Sequence, residues 1–188
     1  MNNIQYNLEW SDLKPIQDID LSNEDQGVYV WGFKFDSEFI PYYVGIAFNV
    51  QTRLLEHVNN IVGGKYCIIH SNDLREFRKY KDCETVSINK GLLYIPNWPN
   101  GYLSFLKRRN SLQPHIDNMV SKMHFSFASL NKHTTMTKKD LEDIEKYCIN
   151  CIGKDNLWNT RGGTSNLSNV THSGNLEIKS LFEKKNSN

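Results

Sequence analysis

The sequence has no long hydrophobic run, no secretory leader pattern and no large excess of charge of either sign. None of its apolar stretches approaches the roughly 18 residues that a membrane-spanning helix needs. The opening letters, MNNIQYNLEW, lack the basic and apolar regions of a signal peptide. These absences predict a chain with no membrane partner and a cytoplasmic location.

The four cysteines do not form the pattern of a zinc site or of a disulfide framework. Cys148 and Cys151 make a C-x-x-C, but they fall in an apolar-periodic stretch, where such cysteines usually pack as small hydrophobic side chains. Cys67 and Cys83 have neither a second C-x-x-C nor the paired histidines of a zinc finger beside them. We therefore expect reduced thiols. A Gly-rich phosphate loop is also missing, which argues against a nucleotide-processing enzyme.

Length and composition predict one globular domain with a real core, since the chain has 188 residues, 39% of them hydrophobic and 23% charged. The net charge of +1 is unevenly placed, because residues 1–26 contain six acidic residues and one lysine. The remainder of the chain therefore carries an excess of six positive charges. That excess is compatible with phosphate binding but does not require it.

One stretch carries most of the polar chemistry. β-Branched and aromatic residues on both sides of a polar turn predict strands over 27–35 and 41–47. Asn49 is suited to cap the helix that follows. Arg53 and His57 are four residues apart in that helix, so they lie on one face and can address one ligand.

The later sequence predicts a third strand over 124–130, where HFSFASL alternates apolar and polar residues. A helix follows, with Thr137 as its cap, Glu145 beside its apolar stripe and Gly153 at its end. The segment from about 64 to 123 is predicted to be an insertion packed on the core. Within it, YCIIH and GLLYIP indicate short strands, NDLREFRKYK and YLSFLKRR indicate helices, and a further segment begins at His115.

These residues carry a family resemblance. GVY at 27–29 and YVG at 43–45 resemble the paired GIY and YIG elements of the GIY-YIG nuclease superfamily. Arg53 follows Tyr43 by ten residues, His57 comes one helical turn later, and Asn159 lies fourteen residues beyond Glu145. The series resembles phage homing endonucleases, the incision subunit of nucleotide-excision repair and several restriction endonucleases. The matching segments are 27–62 and roughly 124–160.

The resemblance implies a metal-dependent DNA endonuclease that hydrolyses phosphodiester bonds, with Mg²⁺ or Mn²⁺ held by Glu145. Arg53 is a permanent cation whose planar fork matches phosphate oxygens. A tyrosine of the pair or His57 would accept the proton of the attacking water, and the sequence leaves that choice open. Glu142 is a reserve candidate for the carboxylate. The implied catalytic residues are Tyr29, Tyr43, Arg53, His57, Glu145 and Asn159.

The resemblance also implies an α/β (α+β) fold, with a small three-stranded antiparallel sheet flanked by helices. The predicted layout is an acidic lead-in over 1–26, a catalytic domain over 27–160 with its insertion at about 64–123, and a tail over 161–188 that ends in a short helix. The expected partner is DNA, and restriction-like relatives suggest a homodimer. The predicted nucleic-acid-binding residues are Arg75, Arg78, Lys79, Lys107, Arg108 and Arg109.

Two other functions fit the same sequence. A nucleic-acid-binding domain of this fold that has lost catalysis would keep the basic surface. A protein-interaction module would use the acidic N-terminal segment and the aromatic side chains of the insertion. DNA affinity that falls steeply with salt would argue against the interaction module.

Overall fold

The computed structural model describes residues 5–21, 25–81, 83, 91–96, 100–130, 137–159, 163–165, 167 and 169–183. The predicted domain boundary at 160 and 161 lies outside these residues. The strands are β1 (Tyr6–Trp10), β2 (Lys14–Pro15), β3 (Gly27–Phe35), β4 (Glu38–Ala47), β5 (Ile68–Ile69), β6 (Leu92–Tyr94), β7 (Met123–Ser129) and β8 (Val170–Gly174). The α-helices are α1 (Val50–Val62), α2 (Asn100–Lys122), α3 (Lys138–Ile152) and α4 (Leu176–Glu183). Short 3₁₀ segments lie at Ile16–Asp18, Ser71–Tyr80 and Lys154–Asn156.

One sheet of six strands organises the fold. Its order is β4-β3-β7-β1-β8, and β2 also pairs with β7. β8 runs parallel to β1, whereas the other pairs are antiparallel. The prediction of a small three-stranded antiparallel sheet is therefore wrong. The three predicted strands are present as β3, β4 and β7, but the sheet is twice that size and mixed.

The extra strands come from segments that the sequence presents as a lead-in and a tail. β8 is VTHSG, which has one strongly apolar residue, and it pairs with β1 so that Tyr6 lies opposite Val170. Strand propensity depends on side-chain packing against neighbours in the sheet. Because the strand that pairs with β8 is distant in the sequence, the residues around β8 do not by themselves indicate a strand.

A β-bulge sets the direction of the tyrosines in β4. Trp31 pairs with Tyr43 and Gly32 pairs with Pro41, so Tyr42 is an extra residue in β4. An extra residue shifts the alternation of side chains by one. Tyr42 and Tyr43 consequently face the same side of the sheet, where both pack in one hydrophobic cluster.

The two faces of the sheet are covered by different helices. Tyr29 and Trp31 of β3 pack with α1, α2 and the 3₁₀ segment 71–80. Val28 and Val30 point to the opposite face, where they pack with α3 and α4. The backbones of α1 and α3, which carry predicted site residues, therefore lie on opposite faces of the sheet.

Helix α1 forms where the sequence predicts it. The Asn49 side chain accepts a hydrogen bond from the backbone N–H of Thr52 at 2.8 Å, and the Gly63 N–H bonds to Asn59 at the other end. Leu54 and Ile61 are fully buried on the face that meets the sheet. His57 belongs to the same buried stripe, which accounts for its 1% exposure.

Helix α3 is likewise confirmed, with its predicted cap. Thr137 accepts from the backbone N–H of Asp140, and the Asp140 carboxylate accepts from the Thr137 N–H, so the capping box is complete. Gly153 ends the helix at φ 93°.

The segment between α1 and β7 contains the antiparallel pair β5 and β6, the 3₁₀ segment 71–80 and helix α2. The predicted helix NDLREFRKYK corresponds to the 3₁₀ segment 71–80. YLSFLKRR and the segment that begins at His115 form one continuous helix, with Pro114 in its interior. Within the described ranges, no helix is long and apolar enough to cross a membrane.

Candidate active site

Tyr29 and Tyr43 stand next to each other on one face of the sheet, with ring centroids 6.3 Å apart. Gly45 lies directly opposite Tyr29 in the β3–β4 ladder. A Cβ at Gly45 would come within 2.4 Å of the Tyr29 hydroxyl and 2.9 Å of the Tyr43 ring. The glycine therefore provides the space in which the Tyr29 hydroxyl lies.

His57 joins this pair through both of its ring nitrogens. The Tyr29 hydroxyl lies 2.8 Å from Nε2, and the Tyr66 hydroxyl lies 2.7 Å from Nδ1. The Trp31 and Tyr43 rings pack against the imidazole at centroid distances of 5.4 and 5.0 Å. His57 is therefore a bridge between two tyrosines inside an aromatic shell.

The electrostatics of this bridge follow from burial. Burial, with the nearby Arg53 charge as a second cause, lowers the pKa of His57 to about 3, so the imidazole is neutral. Burial and the neighbouring Tyr43 raise the pKa of Tyr29 well above its ordinary value, and the Arg53 charge opposes that rise. In the free protein Tyr29 is consequently a neutral phenol.

Arg53 lies at the mouth of the site. Its side chain is 42% exposed and forms an ion pair with Glu56 one turn further along α1. Its positive charge also acts on the Tyr29 hydroxyl, because it opposes the rise in the pKa of that group. One residue thus faces solvent and the buried tyrosine together, which suits contact with an incoming anion.

Glu145 lies on α3 and acts on the same site through its charge. It is half-buried, and its charge adds to the rise in the pKa of Tyr29, so the carboxylate lies within electrostatic range of the hydroxyl. Glu142, the reserve candidate, instead lies 3.9 Å from Lys138. The structure therefore associates Glu145 with the tyrosines, although α3 packs on the other face of the sheet.

The site offers one carboxylate as a metal ligand, that of Glu145. Among the residues that the structure describes, no group of three or more His, Cys, Asp or Glu side chains is arranged to hold a metal. Glu145 supplies one hard carboxylate, and Mg²⁺ is often held by one or two carboxylates, its own waters and a substrate phosphate. The residues fit Mg²⁺ or Mn²⁺ bound in that way.

Asn159 has a structural position. Its side-chain oxygen accepts from the Val44 N–H at 2.9 Å, and its amide donates to the Val44 carbonyl at 2.7 Å. The Trp158 N–H bonds to the Tyr42 carbonyl beside it. β4 is an edge strand of the sheet, so this loop covers the unpaired edge of β4 next to the tyrosines.

The first predicted basic group lies far from the tyrosines. Arg75 pairs with Glu38, the first residue of β4, at 3.1 Å, and Lys79 pairs with two acids of its own segment. Glu38 and Gly45 are roughly 20 Å apart along the strand. A cavity of about 410 Å³, lined in part by Glu38 and Arg78, lies at this distant end of β4.

The second predicted basic group lies on α2. Arg108 donates to the Leu93 carbonyl at 2.8 Å, so it ties α2 to β6. Lys107 and Arg109 are exposed on the same helix. These two cations are therefore the better candidates for contact with a polyanion.

Two participants in the site were not identified from the sequence. Tyr66 comes nine residues after His57, beyond the end of α1, and Gly64 at φ 69° helps the chain to reverse between them. The Gly63-Gly64 pair in the sequence could have indicated this position. Glycines at the end of a helix often reverse the chain, so that the residues after them pack against the same helix. Gly45 was used only as part of a motif, and its spatial role appears in the structure.

A scan against protein-family models finds no match, and searches of curated proteins and of solved structures likewise find no significant match. A functional assignment consequently depends on the chemistry of the site and on the resemblance of its motifs.

Proposed function

We propose that this chain is a metal-dependent DNA endonuclease that hydrolyses phosphodiester bonds. The observation that supports it best is that the charges of Arg53 and Glu145 both act on the buried Tyr29 hydroxyl. These residues come from β3, α1 and α3, far apart in the sequence. A neutral acid–base group, a permanent cation and a carboxylate are the chemistry that phosphodiester hydrolysis requires.

Arg53 binds the scissile phosphate in this proposal. Its fork can donate two parallel hydrogen bonds to the non-bridging oxygens, and its charge stabilises the extra negative charge of the transition state. The ion pair with Glu56 holds the side chain at the mouth of the site until a phosphate competes for it.

Tyr29 accepts the proton of the attacking water, and Tyr43 lines the approach. His57 is less suited to that role, because both of its ring nitrogens already contact tyrosines. The raised pKa of Tyr29 must fall for the phenol to act as a base. Arg53 lowers it in the free protein, and a bound divalent cation would lower it further.

Glu145 would hold the divalent cation. When bound, Mg²⁺ supplies positive charge at the scissile phosphate and at the leaving oxygen. The half-buried position of Glu145 leaves its side chain partly open to solvent, as binding of a hydrated cation requires.

The test is cleavage of supercoiled plasmid at low salt with and without Mg²⁺. We expect nicking or linearisation that needs the metal, and a loss of roughly a hundredfold or more in Arg53→Ala and in Glu145→Gln. Glu142→Gln, a change of the same kind three residues away on α3, is the matched control and should cleave normally. Equal loss in Glu142→Gln and Glu145→Gln would contradict the assignment of the carboxylate.

A second candidate is a DNA-binding domain of this fold without catalysis. It is favoured by the 1% exposure of Tyr29 and of His57, which leaves little room for water at the hydroxyl. Binding of a duplex that weakens steeply with salt, with no Mg²⁺-dependent cleavage by the wild-type chain, would select this candidate.

A homodimer belongs to the same proposal, because one active site cuts one strand at a time. A dimeric enzyme should give linear plasmid without an accumulating nicked form, whereas a monomer should give nicked circles first. Sedimentation with and without a duplex measures the state directly.

A further inference from the structure

We propose that Tyr66 is a positioning residue of the nuclease site. It fixes His57 as the tautomer that carries its proton on Nε2, and that N–H is then directed at the oxygen of Tyr29. The inference depends on the proposed nuclease function, and it adds a residue from outside the two segments that carry the motif resemblance.

The geometry provides a continuous series of contacts. Tyr66 lies 2.7 Å from Nδ1 of His57, and Nε2 of the same ring lies 2.8 Å from the Tyr29 hydroxyl. Tyr66 is half-buried, whereas His57 and Tyr29 are each 1% exposed. Of the two tyrosines in this series, Tyr66 is therefore the more exposed to solvent.

The single proton on a neutral imidazole limits the directions in which the two hydrogen bonds of His57 can run. A neutral ring has one N–H and one lone pair, so it can donate to one tyrosine and must accept from the other. Two arrangements satisfy both contacts. Either Tyr29 donates to Nε2 and Nδ1 donates to Tyr66, or Tyr66 donates to Nδ1 and Nε2 donates to Tyr29.

The proposed chemistry selects the second arrangement. Tyr29 must be a phenolate when it accepts the water proton, and a phenolate oxygen has no proton to donate. Its contact with Nε2 persists only if Nε2 donates, and Nδ1 must then accept from Tyr66. Tyr29 must first release its hydroxyl proton to bulk solvent, which leaves the phenolate. The proton of the attacking water then moves to that phenolate oxygen, while His57 and Tyr66 keep their own protons throughout.

The experiment compares wild type, Tyr66→Phe and Tyr94→Phe. Tyr94 is the matched control, because its buried hydroxyl donates to the Gly64 carbonyl at 3.0 Å close to Tyr66 in the chain. The ring ¹⁵N shifts of His57, assigned by their loss in His57→Gln, report which nitrogen carries the proton. Single-turnover cleavage of plasmid supplies the rate and the apparent affinity.

We expect wild-type His57 to carry its proton on Nε2 and Tyr66→Phe to shift it towards Nδ1. The cleavage rate of Tyr66→Phe should fall about tenfold at unchanged affinity, since one hydrogen bond to the reacting oxygen is weakened. Tyr94→Phe should keep both the tautomer and the rate at a temperature where it is folded.

Other outcomes are separable. A wild-type proton on Nδ1, or an unchanged tautomer and rate in Tyr66→Phe, would overturn the role of Tyr66 and leave the nuclease in place. A wild-type chain that does not cleave would overturn the proposed function, and the ¹⁵N shifts would still decide whether Tyr66 sets the tautomer.

Discussion

The hydroxyl of Tyr29 lies 2.8 Å from Nε2 of His57, although the two residues are 28 positions apart in the chain. The contact joins β3 to α1 through a polar pair within an otherwise apolar face of the sheet. Because the imidazole is almost fully buried, it must be neutral when the protein folds.

Stability should therefore decrease in mild acid. Burial lowers the pKa of His57 to about 3 in the folded chain, against 6.5 as its ordinary value. Below pH 6.5 the unfolded chain binds a proton that the folded chain does not, so stability is complete above that pH and is lost as pH falls towards 3. We expect a contribution of about 2 kcal/mol to be lost between pH 8 and pH 5.

Urea unfolding across this pH range measures the loss, and His57→Gln should flatten its slope. Burial also lowers the pKa of His172, to about 4, so His172→Gln should remove a comparable part of the slope. A pH dependence that is unchanged in His57→Gln would contradict the prediction.

Gly45→Ala should displace the Tyr29 hydroxyl. The new Cβ would lie 2.4 Å from that oxygen, closer than real contacts allow, and the rings on both sides are packed. We expect a stability loss of about 1–3 kcal/mol and a loss of cleavage larger than the unfolded fraction explains. Gly163→Ala is the control, because its Cβ would meet Lys146 at an ordinary 3.6 Å. Full activity in Gly45→Ala would show that the hydroxyl position is not critical.

Asn159→Ala should act mainly on stability. It leaves the buried N–H and carbonyl of Val44 without partners, at a cost of about 2–3 kcal/mol. Asn150→Ala, which removes an exposed bond to the Gly163 carbonyl, should cost under about 0.5 kcal/mol. Thermal and urea unfolding measure both. A stable Asn159→Ala chain that fails to cleave would instead indicate a direct role of Asn159 in catalysis.

The two basic groups should differ in their effect on DNA binding. Lys107 and Arg109 are exposed on α2, so replacing both by Ala should flatten the dependence of log K on log salt by up to about 1.8, or about 0.9 per phosphate contact. Replacing Arg75 and Lys79 should change the slope less, because both are already paired with acids. Anisotropy of a labelled duplex at several salt concentrations measures the slopes, and equal changes would contradict the distinction.

Local sequence patterns were sufficient to predict the strands and helices that carry the candidate site. The hairpin, α1 and α3 were predicted from alternation, periodicity and caps, and these signals are local by nature. The bulge at Tyr42 was not predictable in the same way, because it appears only when the register of two strands is known. The bulge places both Tyr42 and Tyr43 on the face of the sheet that Tyr29 occupies.

The remaining differences also have a tertiary origin. β8 has too little strand propensity to be identified alone, and only β1 gives it a partner. The charge cluster at 75–81 was visible in the sequence, but the acids that neutralise it in space include Glu38, which comes from a different element. Tyr66 illustrates the same limit, since its importance depends on where a helix ends and how the chain turns back.

The parallel pairing of β1 with β8 has a consequence for how the chain is made. Tyr6 and Val170 meet across 164 positions, so a ribosome must release nearly all of the described chain before this ladder can close. Until then, one edge of β1 is open to any extended segment nearby. Contacts between such distant positions are slow to form, and we expect nascent or truncated chains that end before β8 to depend on chaperones during synthesis.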